Sequence, residues 1–204
     1  MLIAGAGGHA MEIIDILSEN ERQRCFLYDD VTKDLPAYIN EIPVCNTADH
    51  AVEILKHDPA FILGVGNGKL RQQFAATFRA AGGTLTTVKS PLAFCSKDAV
   101  IDEGANIMAF AFVSSGVAMG EGCLINTRAN IHHNVVLGDY CEISPAAVLL
   151  GNVKIGSFVS VGASAVVLPG IEVGEGAIIG AGAVVTKNVA AGVTVAGNPA
   201  KPIE

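Results

Sequence analysis

Fifteen positions, each six residues after the last, all carry an aliphatic side chain or methionine: Ile101, Ile107, Val113, Met119, Ile125, Ile131, Leu137, Ile143, Leu149, Ile155, Val161, Val167, Val173, Ile179 and Val185. A helix turns the same face inward about every 3.6 residues and a strand every 2, so a sustained period of six fits neither alone. It fits a parallel β-helix, whose successive short strands form flat walls around one shared apolar interior. The fourth residue after each aliphatic one keeps the same frame and is always small or β-branched, from Ala105 and Ala111 through Cys123 and Cys141 to Ala183 and Val189. The residue just after it is often glycine (Gly120, Gly138, Gly156, Gly162, Gly174, Gly180), which the pattern assigns to tight corners.

Three walls to a turn make a coil of about 18 residues and a prism roughly 24 Å tall at the usual strand spacing. Few aromatic residues and no tryptophan suit so narrow an interior. A net charge of −7 argues against a general nucleic-acid binder. The first residues lack the basic leader of a secretion signal, and no stretch is long and apolar enough to enter a membrane. The five cysteines follow no metal or disulfide spacing, and Cys123 and Cys141 read as small inward residues of the prism. The expectation is a reduced, cytoplasmic protein.

The N-terminal third alternates strand and helix signals. Residues 2–4 run into Gly5-Ala6-Gly7-Gly8-His9-Ala10, and a helical pattern follows with Met11, Ile14 and Leu17 on one face. Further strands are expected at 25–28, 61–65 and 85–88, with a helix near 69–81. This predicts a small parallel α/β unit over residues 1–90, followed by the prism over 91–204. Gly5-x-Gly7-x-x-Ala10 matches the glycine-rich turn of dinucleotide-binding folds, in which a diphosphate approaches backbone N–H groups at a helix N-terminus. A full nicotinamide domain needs more strands than this length supplies. A nucleotide half-site suits it better, built on Gly7 and Gly8, with Asp29 or Asp30 meeting ribose or base.

His132 and His133 interrupt a wall of apolar and small residues. His133 falls at a corner, and its neighbours one coil away are Ser115 and Gly151, small enough to leave a groove. A histidine there has the right acidity to accept a proton near neutral pH; a solvated corner residue is the plain alternative.

Together, the Gly-Ala-Gly-Gly-His start, the prism, the core Asn126-Thr-Arg-Ala-Asn-Ile-His132-His133-Asn134 and the terminal Ala196-Gly-Asn-Pro-Ala-Lys-Pro202 resemble the bacterial nucleotide-amino-sugar N-acetyltransferases of the bacillosamine and perosamine pathways, close to the sialic-acid O-acetyltransferase branch. The resemblance implies a left-handed β-helix and acetyl transfer from acetyl-CoA, without a metal, to the 4-amino group of a UDP-linked 4-amino-4,6-dideoxy sugar. It places the general base on His133 and the family's asparagine on Asn126. His9, Asp29, Asp30, Gly66 and Asn67 join Gly7 and Gly8 against the nucleotide sugar. CoA is expected along Gly151, Gly162, Ala163, Gly180 and Ala181, with Lys187 or Lys201 meeting its phosphates. Relatives are homotrimers with the site between prisms. The chain departs from the family where carboxylates flank the base, since His132 and Asn134 stand there, and where a second histidine is replaced by Glu142. Glu142 could return a carboxylate from another wall or subunit. The rival readings are a sugar O-acetyltransferase and a non-catalytic, ligand-binding trimer.

Overall fold

A computed structural model describes residues 1–203. The chain gathers into two compact units, Met1–Val88 and Lys89–Glu204.

In the first unit, the apolar run Leu2–Ala4 (β1) is wholly buried at the centre of a six-stranded sheet. Its neighbours are Phe26–Tyr28 (β2) on one side and Ala60–Leu63 (β5) on the other, both parallel, with Leu2 opposite Phe26 and Phe61. Tyr38–Ile39 (β3) and Ile42–Cys45 (β4) extend the β2 side as a hairpin, and Thr84–Leu85 (β6) closes the β5 side. The expected strand at 85–88 is resolved into two short strands, Thr84–Leu85 and Val88–Lys89. Four helices connect the strands: Gly8–Ile16 (α1), Glu19–Arg22 (α2), Ala48–His57 (α3) and Gly68–Ala80 (α4). The face α1 buries is Ala10, Ile13 and Ile14, rotated from the expected Met11–Ile14–Leu17 stripe, because Met11 and Leu17 reach only the margin of the core. The hairpin and α3 were not foreseen. Thr47 caps α3 by accepting the His50 N–H, and Ala51, Ile54 and Leu55 give it a buried stripe of only three residues. The chain leaves β1 towards β2 and later returns to the opposite side as β5. The loops after β1 and β5 thus flank a topological switch point, where open α/β sheets take ligands.

In the second unit, two-residue strands repeat every six residues and pair in parallel with strands 18 residues away, as Asn106 with Leu124 and Phe112 with Asn130. Wall I contains Val100–Ile101, Ala118–Met119 and Val136–Leu137; wall II contains Asn106–Ile107, Leu124–Ile125 and Glu142–Ile143; wall III contains Phe94–Cys95, Phe112–Val113 and Asn130–Ile131. The period-six column is buried throughout except Ile101, at the first coil, which is half-buried. Cys123 and Cys141 stand in the small inward column, their thiols donating to the carbonyls of Gly138 and Gly156. Among the described residues, no helix is long and apolar enough to cross a membrane.

The corner glycines take a different role from the expected one. The left-handed backbone conformation falls three residues after the aliphatic column, at Gly104, Gly116, Gly122, Gly170, Gly176 and Gly182. It falls equally on Phe110, Arg128, Asn134, Tyr140, Ala146, Asn152, Phe158 and Ser164. Glycines just after the column, such as Gly138 and Gly162, have no such φ. They are bare because a Cβ there would lie 2.5 Å from the backbone nitrogen of Ser157 or Ala181 in the next coil. Close stacking of coils, not turn strain, selects glycine at that position.

Candidate active site

In the first unit, Gly5 has φ +131°, and a Cβ on it would lie 2.6 Å from the Gly64 carbonyl oxygen, so the loops after β1 and β5 touch backbone to backbone. Gly7 caps α1 without a side chain, and the space beside Gly7 and Gly8 is open, which leaves the amides of that helix end uncovered. The His9 side chain is only 10% exposed, with Nδ1 3.2 Å from Glu12 Oε2. Burial lowers its pKa; Glu12 opposes this, and the Arg71 cation reinforces it.

Arg71, which the sequence reading missed, lies wholly buried on α4 and donates to the carbonyls of Gly66 and Val65. It thereby anchors the loop after β5. Arg71, Ala75 and Phe78 form the buried stripe of α4, and a cation in such a stripe needs acceptors. Asn67 uses its side-chain oxygen to cap α4, accepting the Leu70 N–H at 3.0 Å. Asp29 accepts from the Val31 and Thr32 amides and the Thr32 hydroxyl, so it shapes the turn after β2. Burial pushes the Asp29 carboxyl up, but these hydrogen bonds outweigh it and leave the pKa low. Asp30 is exposed and accepts from the Tyr28 hydroxyl at 2.8 Å. All seven nucleotide-type candidates thus lie on the loops at the C-terminal ends of β1, β2 and β5 or, for Gly8 and His9, in the first turn of α1.

In the second unit, the expected residues other than Glu142 and Lys201, which lie on the sheet of wall II, fall on two corners at opposite edges of wall III. Asn126 heads one column, between walls II and III, which continues through Ser144 to Gly162 and Gly180, with Ala163 and Ala181 beside them. Asn126 Oδ1 accepts the Thr127 N–H at 2.8 Å. His133 stands between walls III and I, exposed, in the column of Ser115, Gly151 and, further along, Lys187. The imidazole lies over Gly151, where a Cβ would collide with the ring. Asn134, with φ 57°, places the end of its side-chain amide 3.5 Å from His133 Nδ1 and 3.2 Å from the side-chain amide of Asn152. Ser115 donates to the Asp98 carboxylate. His132 sits half-buried against Phe112, which stacks on Phe94 at 5.2 Å between centroids, so it packs an aromatic ladder on wall III. Glu142 projects from wall II, opposite the corner that holds His133. Within one chain, then, neither Glu142 nor the Asn126 column meets His133.

An exposed imidazole on a bare corner can take a proton from a nucleophile, and the glycine column can admit a long, thin ligand along the prism. Residues 1–78 match the PglD N-terminal domain family, and residues 152–187 match the bacterial transferase hexapeptide (six repeats) family. Among curated proteins none matches. Three solved structures are similar over almost their full length. The acetyltransferase domain of PglB from Neisseria gonorrhoeae FA1090, in complex with acetyl coenzyme A, is 32% identical, with 99% of this chain and 98% of that one covered and a TM-score of 0.90. PerB from Caulobacter crescentus, in complex with CoA and GDP-perosamine, is 28% identical, with coverages of 100% and 96% and a TM-score of 0.90. WeeI from Acinetobacter baumannii AYE is 28% identical, with coverages of 99% and 98% and a TM-score of 0.88. The hand of the β-helix is that of these relatives, left. With near-complete coverage at 32% identity, the chain belongs to the hexapeptide-repeat nucleotide-amino-sugar N-acetyltransferases of the bacillosamine and perosamine type, which are acyltransferases.

Proposed function

We propose that this protein transfers acetyl from acetyl-CoA to the 4-amino group of a UDP-linked 4-amino-4,6-dideoxy sugar, with His133 as general base. The observation that carries the reading is the His133 imidazole lying over the bare Gly151 at a prism corner, on a scaffold 32% identical to the PglB acetyltransferase domain. The amine nitrogen attacks the thioester carbonyl as His133 takes its proton; the C–S bond then breaks, and the departing CoA thiolate recovers that proton from the imidazolium. General-base help of this kind is worth about 10²–10⁴ in rate. The oxyanion is met by backbone N–H groups of a corner. The nucleotide rests at the switch point of the first unit, on the uncovered α1 amides of Gly7 and Gly8, with His9, Asp29, Asp30, Gly66 and Asn67 around it. CoA lies along Gly162, Ala163, Gly180 and Ala181, with Lys187 towards its phosphates.

His133 and that glycine column occupy opposite edges of wall III, so one prism alone does not bring them together. A cyclic homotrimer does, because it turns one edge of each prism towards the other edge of the next. Phe94 and Phe110, 56% and 57% exposed, supply apolar surface for such an interface. Use of acetyl-CoA and a nucleotide sugar supports a cytoplasmic reaction.

The test is thiol release from acetyl-CoA with UDP-, GDP- and dTDP-linked 4-amino sugars, comparing the wild type with His133→Ala. Turnover on a UDP-linked sugar that falls at least a hundredfold in the variant supports the reading. Preference for a GDP-linked sugar corrects the nucleotide, and unchanged turnover in His133→Ala removes the base. No turnover on any amino sugar favours a hydroxyl acceptor or a ligand-binding trimer.

A further inference from the structure

We infer that Asn152 is a positioning residue which, through the side-chain amide of Asn134, holds His133 in the tautomer able to accept a proton. The inference rests on the reading of His133 as general base.

A neutral imidazole carries one N–H and one lone pair, and the group bonded to the inner nitrogen decides which nitrogen is which. Elsewhere a carboxylate does this by accepting from Nδ1–H. Among the described residues, Asn134 is the one side chain in hydrogen-bonding reach of the His133 ring, its amide terminus 3.5 Å from Nδ1. That terminus also lies 3.2 Å from the amide of Asn152, one coil further on, whose backbone N–H donates to the His133 carbonyl at 3.0 Å. Bare Gly116 and Gly151 make room for the arrangement: a Cβ on Gly116 would collide with Asn134 Oδ1, and one on Gly151 with the imidazole.

Two orientations of this amide pair are isosteric, because a half-turn about the last side-chain bond exchanges oxygen and nitrogen. With Asn134 Nδ2 towards the ring, Nδ1 must accept, Nε2 carries the proton, and the outer nitrogen is no base. With both amides reversed, Asn134 Oδ1 accepts from His133 Nδ1–H and from Asn152 Nδ2, and Nε2 presents its lone pair. Only a donor at position 152 holds Asn134 in this second state. The amide pair therefore does what a carboxylate does where one orients an imidazole, and Asn152, which contacts no reacting atom, sets its direction.

The experiment is tautomer-resolved NMR of the full chain with ¹⁵N-labelled histidine, recorded in alkaline buffer, alongside kinetics with acetyl-CoA and the acceptor sugar. The wild type is expected to show His133 as the Nδ1–H form. Asn152→Asp can only accept, so it draws the Asn134 NH₂ group to itself and switches His133 to the Nε2–H form. A fall in kcat of about a hundredfold, the low end of what general-base help is worth, accompanies the switch, with KM for acetyl-CoA unchanged. Aspartate tolerates the left-handed backbone that residues 134 and 152 adopt, so both variants retain the fold. Asn134→Asp accepts directly from the ring and is expected to keep the Nδ1–H form. A wild-type spectrum that already shows Nε2–H, or an Asn152→Asp variant that keeps both Nδ1–H and wild-type kcat, overturns the inference. A tautomer switch in Asn152→Asp while His133→Ala still turns over leaves the positioning intact and removes only the base.

Discussion

Gly151→Ala separates the position of the imidazole from the integrity of the fold. The added Cβ would stand 2.5 Å from His133 Nε2 and 3.0 Å from Nδ1. Ordinary van der Waals separation is about 3.5 Å, so the ring must move by roughly 1 Å. A displacement of that size costs about a hundredfold in rate, or about 2.7 kcal/mol of transition-state stabilisation. The fold should not suffer. The colliding atoms belong to the exposed end of a side chain, which swings into solvent, and Gly151 has no left-handed φ. Replacing glycine at such a position restricts the unfolded chain and stabilises by about 0.4–1 kcal/mol. Gly162→Ala is the opposite case. Its Cβ would meet the Ala181 backbone nitrogen at 2.5 Å, and backbone held in a coil has nowhere to swing. That variant should lose about 1–3 kcal/mol, a fall in Tm of about 2–12 °C. The assays are thermal unfolding and initial rates of thiol release. Gly151→Ala with wild-type kcat would refute the role given to the ring, and a fall in its Tm like that of Gly162→Ala would make the His133 contact structural.

Further predictions concern the first unit and the assembly. The folded His9 ring holds its proton less tightly than the unfolded ring, whose pKa is 6.5. As the pH drops below that value the unfolded chain binds more protons, so stability declines on acidification until the lower, folded value is passed. His9→Gln should lose that part of the acid dependence of Tm, and an unaltered slope refutes the assignment. Arg71→Ala removes a wholly buried side chain and its hydrogen bonds to the half-buried Val65 and Gly66 carbonyls, and should cost about 2–4 kcal/mol in urea unfolding. An effect below about 0.5 kcal/mol would mean the loop after β5 is held by something else. Phe94→Lys with Phe110→Lys should convert a trimer to monomers by light scattering with the secondary structure intact, and a surviving trimer places the interface on other walls.

Much of the prism was readable because each inward residue answers to its own coil and the coils above and below. Ile131 and Leu149 are apolar for the same local reason, and the period reports it directly. Residues 38–57 were not readable: a two-residue strand and a three-residue buried stripe are too short to show a period. Arg71 was hidden differently, since a helix pattern containing an arginine reads as solvated on that side until the sheet and loop that enclose it are in place.

The order of residues by itself determined the two kinds of unit, the inward column and the corner that carries His133, because each follows from short-range periodicity. Only the tertiary structure decided which glycines permit close stacking and which residues bear the left-handed turn, since close stacking depends on backbone one coil away, as Gly138 against Ser157. It also decided that His132 packs on Phe112 while His133 projects over Gly151, that Glu142 stands on another wall, and that the Asn134 and Asn152 amides meet beside the imidazole. These depend on directions in space, and neighbours in the chain leave a corner towards different walls.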